Sequence, residues 1–167
     1  AHGQRFGVVD HVQVTPGSPS LDALGATQQM AAQAVDPGSQ VLIGRPFAWA
    51  SKDTAVVTVS ATGLVTAVGN GTTYVVAATA GKADSALVTV SQVIATVGVT
   101  PGNPIVAVGN SAQLTATARD GNSNAVAGAT FAWSSSDEAK AIVNPSGVVT
   151  ALSGTATITA TSTNNKA

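Results

Sequence analysis

The sequence predicts an all-β protein built as two β-sandwich modules in tandem. Three observations predict it: a long internal repeat, apolar–polar alternation in short runs, and turn-forming residues at short intervals. Phe47-Ala48-Trp49-Ala50-Ser51-Lys52-Asp53 returns as Phe131-Ala132-Trp133-Ser134-Ser135-Ser136-Asp137, and Gly63-Leu64-Val65-Thr66-Ala67 returns as Gly147-Val148-Val149-Thr150-Ala151, both at an offset of 84. From Gly25–Gly69 against Gly109–Ser153, 18 of 45 aligned pairs are identical, so one fold serves both copies. A period of this length exceeds a solenoid repeat and suits a small independent domain.

The elements follow from alternation. Val12-Gln13-Val14, Thr58-Val59-Ser60, Leu87-Val88-Thr89-Val90 and Ala156-Thr157-Ile158-Thr159-Ala160-Thr161 each place apolar and polar side chains on opposite faces of an extended chain. Thr recurs on the polar face, where its β-branch suits an extended backbone. Pro16-Gly17, Pro37-Gly38, Asn70-Gly71, Pro101-Gly102 and Asp120-Gly121-Asn122 punctuate the runs with residues that accept tight-turn dihedrals. Ala26 to Val35 is rich in Ala and Gln, but its counterpart Asn110 to Arg119 alternates, so both read as strand. The predicted organisation is an N-terminal extension over residues 1–7, module 1 over 8–91 and module 2 over 92–167.

Composition narrows the function classes. Charged residues make up 9% of the chain, against roughly 25% in an average globular domain. Seven basic and eight acidic residues give a net charge of −1, with no basic patch for nucleic acid. The absence of cysteine excludes a disulfide framework, a thiolate metal site and a cysteine nucleophile. No apolar run approaches the length of a membrane-spanning helix, so no membrane insertion is expected.

Candidate sites are few. Trp49 and Trp133, with Phe47 and Phe131, are expected in the module cores; the competing reading is an exposed sugar-stacking platform. Asp53, Asp120 and Asp137 are calcium candidates, and Ca²⁺ is the one cofactor the residues suggest; capping of a turn by the same carboxylates is the simpler expectation, and Asp36 is read the same way. His2 and His11 have no Glu or Cys neighbours with which to form a metal site or a triad. No catalytic residue and no transition-metal ligand set is identified, so no enzyme is expected. Asn70-Gly71-Thr72 fits a glycosylation acceptor and, equally, a hairpin turn.

The order V-x-V-T-P-G, W-x-S-x-D, G-(L/V)-V-T-A and G-T-x-x-(V/I), present in both copies, resembles the group 2 bacterial immunoglobulin-like (Ig-like) domain of invasin- and intimin-like surface proteins and of phage virions. The resemblance implies two tandem Ig-like sandwiches, a structural or adhesive role, and display on a bacterial cell surface or in a filament, with a phage tail or capsid decoration as the alternative. A carbohydrate-binding accessory module is the weaker alternative, since the chain has only three Phe, two Trp and one Tyr. The expected partners are copies of the chain or other subunits of a larger assembly.

The copies differ at their ends. Ser85 to Ser91 closes module 1 with a strong strand, whereas module 2 aligns only up to about Asp84, so its final strand is expected to be missing. A strand from elsewhere is expected to complete it: a stretch beyond Ala167, or a neighbouring subunit's segment around Phe6, Gly7, Val8 and Val9.

Overall fold

The computed structural model describes residues 7–165 and contains only strands and turns among them. The chain divides into two compact units, Ala1–Ser91 and Gln92–Ala167. Both are Ig-like β-sandwiches, as the alternation and the turn spacing predict.

The first unit contains β1 (His11–Thr15), β2 (Ser20–Leu21), β3 (Thr27–Gln29), β4 (Ala31–Val35), β5 (Val41–Leu42), β6 (Ala48–Ser51), β7 (Val57–Val59), β8 (Leu64–Ala67), β9 (Gly71–Thr79) and β10 (Lys82–Val90). They pair as β1-β4-β5, β2-β10-β9-β6 and β3-β8-β7. The longest ladder is the β9–β10 hairpin, which runs from Lys82↔Thr79 to Val90↔Gly71. Its inward residues are nearly inaccessible: Val75 and Ala77 on β9, Ala86, Val88 and Val90 on β10. Met30, Val57, Val65 and Val14 complete the same cluster. A smaller cluster gathers Val9, Val12 and Ala34.

The second unit contains β11 (Thr96–Thr100), β12 (Ser111–Gln113), β13 (Thr115–Arg119), β14 (Phe131–Ser135), β15 (Ala141–Val143), β16 (Val148–Ala151) and β17 (Ile158–Ser162). The pairings β11-β13, β12-β16-β15 and β14-β17 repeat those of β1-β4, β3-β8-β7 and β6-β9. Among the described residues no strand stands in the place of β2, β5 or β10.

Two sequence expectations need refinement. The strand expected over Ala26 to Val35 is two strands, β3 and β4, broken at Met30. Its amide bonds the Gly63 carbonyl while its side chain drops into the core, and the chain changes partner from β8 to β1. Leu114 does the same between β12 and β13, with its amide on Gly147. The run Ala156 to Thr161 forms a ladder only from Ile158. In the first unit residues 71–73 pair with β10 alone, because β6 reaches only residues 75–78 and the Lys52 amide beyond it reaches Tyr74. Where no counterpart of β10 is present, residues 154–157 belong to no strand.

The cores differ accordingly. Of the 21 buried apolar residues among those described, 17 lie in the first unit and four in the second: Leu114, Ala118, Val126 and Val149. Counterparts of inaccessible first-unit residues, such as Ile158 for Val75 and Ala160 for Ala77, are only half-buried.

Candidate functional site

The aromatic residues stand at the margin of the core, not at its centre. Trp49 and Phe47 are half-buried and pack against the cluster of Met30 and the valines, and Trp133 and Phe131 are half-buried in the second unit. The largest fully buried side chains are Met30 and five valines. Each indole lies against a glycine of positive φ, Gly63 (81°) or Gly147 (79°), in the turn before β8 or β16. The turns themselves are built alike. Ser60 Oγ accepts from the Leu64 amide at 3.0 Å, and Asn144 Oδ1 accepts from the Val148 amide at 3.0 Å. Gln29 Nε2 donates to the Met30 and Thr62 carbonyls at 2.9 and 2.8 Å; Gln113 Nε2 donates to those of Leu114 and Ser146 at 2.6 and 2.8 Å. A glutamine thus ties the sheet-switching residue to the turn that holds the indole's glycine.

The calcium candidates occupy separate turns. Asp53 Oδ1 accepts from the Ala55 amide at 2.9 Å, and Asp137 Oδ1 accepts from the Ala139 amide at 3.0 Å. Asp137 also pairs with Lys140 at 3.3 Å. Asp120 is 2% exposed. Its Oδ1 accepts from the amides of Asn122 and Asn124 at 3.0 and 2.9 Å, and its Oδ2 accepts from Gln92 Nε2 at 2.8 Å. Asp36 repeats the loop with the Gly38 and Gln40 amides at 2.8 and 2.9 Å, without an equivalent of Gln92 in the bonds it makes. Among the described residues no three His, Cys, Asp or Glu side chains gather as a metal set would require. His11 meets only the neighbouring Asp10, at 3.0 Å on the surface. His2 lies outside the described residues.

The proposed assembly strand is divided by the structure. Phe6 lies outside the described residues. Val8 is 77% exposed, whereas Val9 is buried with Val12 and Ala34 in its own unit.

A concavity of about 560 Å³ lies in the second unit. It is lined by the segments Pro101 to Val106 and Gly154 to Ile158, and by Leu114, Lys140, Val149 and Ala151 among others. Ile105 on its rim is fully exposed. Sequence reading missed the segment 101–106 as part of the lining. The signal was present in the alignment, since Ile105-Val106 stands where Ser20-Leu21 stands in module 1.

Two Ig-like sandwiches with matched turns, in one chain, define a tandem Ig-like protein. The model of the bacterial Ig-like domain, group 2, matches residues 8–90 and again residues 93–167. The chain belongs to this family. Ice-binding protein 1 of Shewanella frigidimarina (strain NCIMB 400) is 34% identical over 156 residues, which is 90% of the chain and 17% of that protein. The chain therefore spans a minor part of the relative it matches. Among solved structures, domains 5-6 of the surface-layer protein SbsC are 20% identical, with a TM-score of 0.45 over 95% of the chain and 93% of theirs. The Escherichia coli adhesin FdeC is 19% identical, with a TM-score of 0.45 over 92% of the chain and 60% of its own. These two are likenesses of fold.

Proposed function

We propose that the chain is a non-catalytic structural and adhesive module of a bacterial extracellular surface protein or filament, where it spaces and displays other parts of a larger assembly. The observation that carries this reading is membership of the bacterial Ig-like family by both units in succession. Two modules of one family in series, with no shared pocket chemistry between the copies, serve length and presentation better than turnover. The Asp36, Asp53, Asp120 and Asp137 carboxylates are spent on turns, and none is set beside a second group as nucleophile and base would be. The half-buried indoles, laid against Gly63 and Gly147, support a packing role over a sugar platform. None of the relatives named above is a virion protein, so nothing favours the phage alternative. Ice binding is the named property of a relative matched over 17% of its length; for the shared segment we infer spacing and display.

Immunolabelling of intact bacterial cells with antibody against the chain tests the proposal. Labelling without permeabilisation is the expected result. Label that appears only after the envelope is opened, or only on phage particles, overturns it.

A further inference from the structure

We propose that Arg45 and Gln92 are load anchors: each ties the stretch leading into its unit to that unit's body, so that tension along the chain does not peel the first strand from its sheet. The proposal rests on the reading of the chain as a spacer in a larger assembly, where it is held from both sides. Under such load the first strand of each unit is exposed to peeling. β1 pairs with β4 alone and β11 with β13 alone, both antiparallel. A ladder pulled from its end opens one bond at a time, so the ties nearest the load set the rate of opening. Each of these ladders is preceded by the same bond. The Asp10 amide donates to the Val35 carbonyl at 2.8 Å, and the Ala95 amide to the Arg119 carbonyl at 2.8 Å.

Three residues ahead of that bond each unit has a further tie, and the two ties differ in chemistry. In the first unit the residue is Gly7, whose carbonyl accepts from Arg45 Nη2. In the second it is Gln92, which is 2% exposed. Its Nε2 donates to Asp120 Oδ2 at 2.8 Å and to the Ala125 carbonyl at 3.2 Å. Asp120 is fixed in turn by the amides of Asn122 and Asn124. Between Gln92 and β11 the Ile94 amide bonds the Asn165 carbonyl at 3.0 Å, so the Gln92 tie stands ahead of this bond too. The repeat counterpart of Arg45 is Ala129, and Gly7 has no side chain to act as Gln92 does. What the units have in common is the position of the tie, not the residues that make it. A bond to a carboxylate out of reach of water is not exchanged for a water bond as it opens, so it holds longer than a surface bond would.

The test is single-molecule pulling of the whole chain at constant force. With handles at the two termini, Gln92→Met, which keeps the bulk and lacks the donor, should unfold the second unit at least about tenfold faster and leave the lifetime of the first unchanged. Arg45→Met should do the reverse. The first unit releases the longer chain, which identifies its step. Handle placement separates an anchor from a side chain that merely stabilises. The chain has no cysteine, so Gly102→Cys gives a single attachment point beyond β11, and Gly17→Cys gives one beyond β1. A Cβ at either glycine meets nothing within 4 Å. Pulling between residue 102 and the C-terminus leaves Gln92 outside the load path, and the acceleration caused by Gln92→Met should then fall at least about fivefold. Residue 17 serves Arg45→Met in the same way. Should Gln92→Met fail to fold its second unit, Gln92→Asn, one methylene too short for the carboxylate, carries the same expectation. No acceleration from the termini, or equal acceleration from both attachment points, overturns the proposal. Labelling of intact cells decides separately whether the chain is displayed, so failure of one reading is not mistaken for failure of the other.

Discussion

Gly63 lies directly against the indole of Trp49: a Cβ at Gly63 would stand 2.9 Å from both Cε2 and Cζ2 of the ring and 2.9 Å from the Met30 carbonyl oxygen. Gly147 repeats the relationship with Trp133, at 2.8 Å from Cζ2 and 2.6 Å from the Leu114 carbonyl oxygen. Glycine is required there twice over, by its positive φ and by the closeness of ring and backbone. Gly63→Ala is therefore expected to destabilise the first unit by about 2–4 kcal/mol, combining left-handed strain with overpacking. Urea unfolding followed by far-UV circular dichroism measures it, and a near-UV change is expected from the displaced indole.

The two tryptophans allow each unit to be followed separately. Trp49→Ala should cost the first unit about 3 kcal/mol, the low end for a large aromatic because the ring is half-buried. Trp133 fluorescence in that variant should keep its own unfolding midpoint, since the altered site lies in the other compact unit. A shift of both midpoints together would show the units to be coupled.

Asp120 and Asp36 have the same turn bonds but different surroundings. Asp120→Ala removes the acceptor of the Asn122 and Asn124 amides and one acceptor of the buried Gln92 side chain, whose other bond goes to the Ala125 carbonyl. It is expected to cost about 2–3 kcal/mol, against about 1 kcal/mol for Asp36→Ala in its half-buried loop. Thermal melts of the two variants compare them. Because these carboxylates are already engaged by amide donors, adding millimolar CaCl₂ or EDTA should leave the melting temperature of the unaltered chain unchanged.

Gln113→Ala removes two hydrogen bonds to the carbonyls of Leu114 and Ser146. The expected loss is about 1 kcal/mol, the ordinary net worth of such bonds. Gln113→Glu should be no better, since a carboxylate cannot donate to carbonyls. Denaturant midpoints of the pair distinguish loss of the donor from loss of the side chain's bulk.

Much of the fold was legible because the chain states it twice. Alternation identified β1, β10 and β17, and the repeat transferred the first and the last of these to the other copy, as β11 and β9. The break at Met30 was not legible, because an apolar residue in an alternating run looks the same whether it continues a strand or carries the chain between sheets. The indole–glycine contact was half legible: the same Trp-to-Gly spacing recurs in both modules, but spacing alone does not say that ring and backbone touch. The difference between Asp36 and Asp120 depends on Gln92, far away in sequence, so no local pattern carries it. Phe6 and Val8 alternate in sequence as a donor strand's apolar residues would, yet the adjoining Val9 is enclosed by Val12 and Ala34 through packing that the local pattern does not encode.

Both units share the pairings of β1-β4, β3-β8-β7 and β6-β9, whereas the first alone, among the described residues, seals its equivalent of β17 between two neighbouring strands. Segment-resolved hydrogen exchange on the unaltered chain tests this difference most directly. Amides of residues 75–78, held on both sides by β6 and β10, are expected to exchange at least about a hundredfold more slowly than those of residues 158–161. Equal protection of the two segments would contradict the account.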